Sequence, residues 1–307
     1  MRAEIRRLLD IPYVKLCFRI QLLKDCTLSV YKTSALRGGM GQMLLQSFCV
    51  ADRECRECRF RQECIVQRIM YTPFDIRPEF VTSGESNGFV LECEDYHRNY
   101  AAGDVISFNL CLFGKAVVYF YPVLQAFTML GQQGLGTARV PFRILQVVNE
   151  KRIPILDGST IDMRNYHINS IADYVDYRIR MDRKENRMVF HTPVRIKHKR
   201  EDICSFSPDA VLTSLCRRIY IMDCFVGIKA LQYDPAGHLP EMISQRAVPG
   251  MMKRYSSTHE QEITQRGIRG YIEFSDMDED IRALLYAGEI MHIGKNTKFG
   301  FGRYSME

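Results

Sequence analysis

The sequence contains no apolar run long enough to cross a bilayer. Its most apolar stretch, "AVVYFYPVLQAFTML" over residues 116–130, falls short of the roughly 20 residues a span requires and is interrupted by Pro122. A buried helix is expected there. The first residues, "MRAEIRRLLDIPYVK", lack a continuous apolar stretch followed by a small-residue cleavage site, so a cytoplasmic protein with no membrane partner is expected. No Gly-Lys-Ser/Thr follows Walker spacing, and no dinucleotide fingerprint opens a parallel βαβ unit. Nucleotide hydrolysis and hydride transfer therefore have no motif. Histidine is absent before His97.

What is present describes a globular chain. The 307 residues suit two domains, with 46% hydrophobic and 25% charged residues and a net charge of +6 that favours an anionic partner without demanding one. In "PYVKLCFRIQLL" the apolar Val14, Leu16, Phe18, Ile20 and Leu22 alternate with polar residues, which predicts a strand. "TSALRGGMGQMLLQSF" changes to helical period, with Thr33 or Ser34 as its cap. "NGFVLEC" and "DVISFNLCL" read as an antiparallel pair, a helix follows from about Lys115 to Leu130, and "ARVPFRILQVV" resumes alternation. The order is β-α-β-β-α-β, a ferredoxin-like arrangement that RNA-recognition modules share. "NEKRIPILDGST" reads as a linker. Beyond it, "RMVFHTPVRIKHKR", "SPDAVLTSLCRRIYIMDCFVGI", "RGIRGYIEF", "SDMDEDIRALLYAG" with Ser275 at its cap, and the final residues suggest an embellished second copy. The expected class is α+β: two tandem ferredoxin-like (RRM-like) domains over 1–150 and 151–307.

Three segments combine glycine with cations: "LRGGMGQ", "GQQGLGTARVPFR" with Arg139 and Arg143, and "GKNTKFGFGR" with Gly294, Lys295, Lys298, Gly300, Gly302 and Arg303. Glycines weaken a strand unless something must come close, and cations beside them suggest that a phosphate backbone does. In "TPVRIKHKR", Arg195, Lys197 and Lys199 fall on one face of the expected strand, a stripe suited to tracking a phosphate chain. Cys49, Cys55, Cys58 and Cys64 are spaced C-x5-C-x2-C-x5-C. Four thiolates would close a structural metal site in an insertion over about 49–71. Zinc is the expected occupant and a four-iron cluster the alternative.

"SALRGGMGQML", "CLFGKAVVYFYPVLQAFTMLGQQGLGTARVPF", "FHTPVRIK", "RYSS" and "HIGKNTKFGFGRY" together resemble landmarks of the CRISPR repeat-processing endoribonucleases of the RAMP superfamily. The resemblance implies two ferredoxin-like domains and binding of precursor CRISPR RNA, with Arg254 of the "RYSS" segment among its contacts. It further implies metal-independent cleavage, in which the ribose 2′-hydroxyl attacks the adjacent phosphate and leaves 2′,3′-cyclic phosphate and 5′-hydroxyl ends. Many members place a histidine in or next to the first helix, where this chain has none and Gln42 stands instead. Tyr31, Lys32 and Arg37 near that helix, with His292 before the last glycine segment, are the expected catalytic residues. A non-catalytic guide-RNA-binding subunit of the superfamily, working among other effector subunits, is the alternative. A third reading is a zinc-stabilised protein that binds an acidic partner.

Overall fold

A computed structural model describes every residue except 56, 72–73, 75–77, 79–87, 182, 228–232 and 257–260. In chain order its main elements are α1 (Ala3–Leu8), β1 (Pro12–Leu22), α2 (Thr33–Phe48), β2 (Phe89–Glu92), β3 (Val105–Phe113), α3 (Phe120–Gln133), β4 (Phe142–Val148), β5 (Pro154–Asp157), β6 (Thr160–Ile161), α4 (Ile171–Arg180), β7 (Arg187–Val194), α5 (Pro208–Val226), β8 (Met242–Ser256), β9 (Gln261–Phe274), α6 (Glu279–Met291) and β10 (Tyr304–Met306). The fold is mixed α+β with antiparallel sheets. The first sheet runs β2-β3-β1-β4-β5-β6 and the second β8-β9-β7-β10. Each half therefore places its second strand at one edge, followed by its third, first and fourth.

The alternation in β1 has the expected result: Val14, Leu16, Phe18, Ile20 and Leu22 are all at most 1% exposed. They pack under α2 and α3, where Phe18 stacks on Phe108 at 5.1 Å and meets Phe127 at 5.0 Å. Each such ring contributes about 2–3 kcal/mol through burial. A second core gathers Met188, Phe190, Leu215, Ile219, Ile272 and Leu284. It also takes Ile5 and Leu9, because α1 packs against α5 and α6 although it precedes the first sheet.

Several local expectations are corrected. The segment expected as a linker adds β5 and β6 to the first sheet, with Gln146 opposite Asp157, because Ile155 and Leu156 have a core face to fill. A short 3₁₀ turn over Gly114–Val118 precedes α3, so Pro122 falls in the first helical turn, where its missing N–H costs nothing. α6 is capped by Asp278, whose carboxylate accepts from Ile281 N at 2.8 Å, and not by Ser275. The long edge strand β8 escaped the sequence reading, since Pro249 and Gly250 interrupt its pattern. Among the described residues, no helix is long and apolar enough to cross a membrane.

Candidate nucleic-acid interface at the junction of the two sheets

The glycine-rich segment 292–303 leaves α6 through His292, whose φ is 59°, and folds between the two halves. Its glycines are needed, although the backbone that comes close is the protein's own. A Cβ on Gly302 would stand 1.9 Å from the Ile293 carbonyl, one on Gly294 2.5 Å from that of Arg195, and one on Gly300 3.0 Å from that of Leu91 in β2. This corrects the expectation that Gly294, Gly300 and Gly302 make room for a phosphate chain; Gly300 and Gly302 are buried. Thr33 Oγ1, at the start of α2, donates to Phe299 O at 2.7 Å, and Thr192 Oγ1 donates to Gly300 O at 2.7 Å. The segment is thus fastened to both halves.

Beneath it lies the carboxylate of Glu92, with a side chain 2% exposed. Lys15 Nζ approaches it at 2.9 Å, Asn109 Nδ2 donates to it at 2.9 Å, His292 Nε2 lies at 3.2 Å and Arg303 Nε at 3.8 Å. Burial would raise the Glu92 pKa, but Lys15, His292 and Arg303 outweigh it and hold the group well below the usual carboxylate range. His292 is fully buried, with Nδ1 3.2 Å from Phe301 O. Desolvation pushes its pKa below the ordinary 6.5 against the pull of Glu92. The expected catalytic His292 is therefore closed off from solvent and joins the two halves.

The start of α2 meets the same segment. Tyr31 packs against Met252, Phe299 and Phe301, edge-on to Tyr96 at 5.9 Å between ring centres. The Arg37 guanidinium lies 5.3 Å from the centre of the Phe299 ring, and Lys298 Nζ 5.8 Å from the same centre. Tyr31, Arg37 and Lys298 are thus brought together. Lys32 departs from expectation. It is 2% exposed, and its ammonium donates to Asp95 O at 2.7 Å and His97 O at 2.8 Å. Burial lowers its pKa, and the side chain pins the loop between β2 and β3 without facing solvent.

That loop contributes residues the sequence reading missed. Tyr96 OH donates to His191 O at 3.4 Å, and its ring lies where Arg303 and Arg269 both act on its phenol electrostatically. His191 is half-buried, with Nε2 2.8 Å from Ser305 Oγ, and burial followed by Arg303 lowers its pKa. Nothing in "ECEDYHRNY" distinguishes Tyr96 from a residue of an ordinary surface turn.

The other expected contacts are scattered. Arg139 and Arg143 are exposed at the far end of the first sheet, where Arg143 Nε donates to Gln21 Oε1 at 2.9 Å. The stripe of Arg195, Lys197 and Lys199 does not share one strand face, because β7 ends at Val194 and residues 197–198 pair with 201–202 in a small hairpin. Asp202 returns across that hairpin to Arg195 at 2.7 Å, so this cation is paired. Lys295 is exposed. Arg254 lies in β8, and its side chain falls outside the described residues.

The four cysteines of the insertion are half-buried. Burial, followed by Cys49, Cys64 and Cys58, raises the Cys55 pKa. Among the described residues, however, no group of three or more His, Cys, Asp or Glu is gathered closely enough to hold a metal ion. The donor set suits zinc; the spacing in this conformation does not.

The mixed α+β fold with antiparallel sheets is similar to that of solved Cas6 structures. Residues 188–304 match the family model of CRISPR-associated endoribonuclease Cas6. Residues 10–168 match the N-terminal domain family AF_1859_N. A Cas6 product complex superposes with TM-score 0.52 at 16% identity, covering 95% of this chain and 99% of the other. A second such complex, of a Thermus thermophilus Cas6, gives 0.50 at 13% identity over 97% and 100%. A partial Cas6-RT-Cas1–Cas2 complex gives 0.58 at 9% identity and covers 97% of this chain, which spans 46% of that longer chain. At these identities the likeness is one of fold. No curated protein matches the chain in sequence.

Proposed function

We propose that this protein is a metal-independent endoribonuclease that cuts precursor CRISPR RNA once within each repeat, through attack of a 2′-hydroxyl on the adjacent phosphate. The product ends would be a 2′,3′-cyclic phosphate and a 5′-hydroxyl, and DNA would be spared because it lacks the nucleophile. The observation that carries this reading is the meeting of the α2 start with the glycine-rich segment, where Tyr31, Arg37 and Lys298 surround Phe299. In this reading both halves are ferredoxin-like domains, Tyr31 orients the reacting hydroxyl, and Arg37 with Lys298 stabilises the charge that grows on the phosphate. Lys32 and His292 hold the surrounding loops in place. Arg303, Arg269, Lys295, Arg139, Arg143, Lys197 and Lys199 supply sequence-independent attraction for RNA. The protein acts in the cytoplasm and keeps its product within a larger CRISPR effector assembly.

Incubation with repeat RNA in chelator, beside the same RNA carrying a single 2′-deoxy at the cut site, tests the reading. Only the unmodified RNA is expected to be cut. Burial of Lys32 and His292 removes two expected catalytic groups from solvent and favours a second reading, a guide-RNA-binding subunit without cleavage. Tight binding with both RNAs intact would establish that alternative. Replacing Lys295 and Lys298 together with alanine is expected to weaken binding about tenfold and to flatten its dependence on salt. Tyr31→Phe should slow cutting with affinity unchanged. Filter binding and single-turnover rates separate the two effects.

We further propose that Cys49, Cys55, Cys58 and Cys64 close around a structural zinc ion, with a four-iron cluster as the other candidate, and that the metal serves folding of the insertion alone. Elemental analysis of the purified protein should give about one zinc per chain. Chelation should lower the melting temperature, whereas Cys55→Ser with Cys58→Ser should abolish the metal. A metal-free protein with unchanged melting would end the proposal.

A further inference from the structure

Where the two halves meet, β7 departs from regular pairing. It sets Phe190 opposite Gly270 and then Val194 opposite Ile268, so that His191, Thr192 and Pro193 face Arg269 alone. Bulges bend a strand and re-aim its side chains, and they are common beside functional sites. This one gathers parts from distant places in the chain. His191 N donates to Arg303 O at 3.0 Å, and Thr192 Oγ1 accepts from Arg303 N at 3.0 Å while donating to Gly300 O at 2.7 Å. His191 O accepts from Tyr96 OH at 3.4 Å, which fastens the loop between β2 and β3 to the same bulge.

We propose that Tyr96 is the stacking seat for one unpaired nucleobase beside the cut, with Arg269 on that nucleotide's phosphate; the assignment rests on the RNA-binding part of the reading above. Tyr96 is held at its hydroxyl by His191 and meets Tyr31 edge-on at 5.9 Å, yet the residue is 38% exposed. A ring fixed before its ligand arrives loses little freedom on binding, and any base can lie on it. The two arginines of this corner differ. The Arg303 guanidinium is taken up by Glu94 and Glu92, so the Glu94 carboxylate does not confront a phosphate unpaired. Arg269 is exposed and forms no ion pair among the described residues, which leaves its charge open to a phosphate. The register places it across from the bulge that holds Tyr96.

The hydroxyl bond also has a plain structural use, since it holds the loop down on β7. Tyr96→Phe removes that bond and keeps the ring. Tyr96→Leu removes both and keeps apolar bulk, so the pair of variants divides the structural use from stacking.

Affinity is measured by filter binding for repeat RNA carrying a 2′-deoxy at the cut site, and for a series of that RNA in which single nucleotides around the site are made abasic. In the parent one position should stand out, its abasic form binding about fivefold to a hundredfold more weakly. Tyr96→Leu should weaken binding of the intact RNA by a like factor and should be indifferent to the base at that position, because the missing base and the missing ring are one interaction. Tyr96→Phe should keep the parent's pattern. Arg269→Ala should weaken every RNA of the series equally and lower the salt slope by about one. Equal abasic penalties in the parent and Tyr96→Leu would overturn the stacking seat. So would a series with no sensitive position, or a Tyr96→Phe that behaves as Tyr96→Leu does. An unchanged salt slope for Arg269→Ala would overturn its phosphate contact. Because the readout is binding, a parent that leaves unmodified repeat RNA uncut would end the endoribonuclease reading without ending this one, whereas a parent that does not bind repeat RNA would end both.

Discussion

Glu92→Ala is expected to destabilise the protein by about 3–5 kcal/mol, the usual effect of removing one partner from a buried set of charges. Its loss leaves Lys15, His292 and Arg303 facing one another without the carboxylate that offsets them. Glu92→Gln keeps the shape and should lose less. The same cluster sets a pH dependence whose direction follows from the two shifts. His292 sits below its ordinary 6.5 when folded, so the unfolded chain binds its proton more readily, and stability declines as pH falls below about 6.5. Glu92 sits well below 4.5, so its contribution is present above that value and is lost as pH falls further. Urea unfolding of the parent should therefore show a shallow decline below about pH 6.5 and a steeper one below about pH 4.5. Glu92→Gln should remove the second. Parallel curves for parent and variant would show that the cluster does not join the halves.

Gly302→Ala should cost more than about 2 kcal/mol in the absence of any RNA. Gly302 has φ 68°, and a methyl group there would meet the Ile293 carbonyl at 1.9 Å, a backbone atom that cannot rotate aside. Gly38→Ala supplies the contrast. It lies in α2 with no atom within 4 Å of a new Cβ, so the substitution should gain about 0.5–1 kcal/mol by restricting the unfolded chain. Denaturant midpoints of the two variants measure both effects. Should Gly302→Ala prove as stable as the parent while binding RNA poorly, the glycine would be serving a ligand and not the fold.

The packing at Gly302 also marks how far sequence reading reaches. That glycines in "GKNTKFGFGR" permit a close approach was legible, since few other reasons account for three in ten residues. What approaches was not legible, because the Ile293 and Leu91 carbonyls reach the segment only after the chain has folded back. The charge stripe over residues 195–199 shows the same limit: alternation put three cations on one side, and a turn two residues later brought Asp202 against the first. The contact of Lys32 with the His97 carbonyl carried no signal at all, because 65 positions separate the two residues.

Alternation and helical period alone determined the strand β1, the helices α2 and α5 and the mixed α+β character, because those patterns depend on neighbours within a turn or two. Only the tertiary structure decided that Lys32 and His292 are buried, that Glu92 meets a histidine 200 positions away, and that a loop brings the His97 carbonyl to Lys32 at the head of α2. Burial and charge pairing are properties of surfaces that meet across the fold, and no local spacing encodes which surfaces those will be.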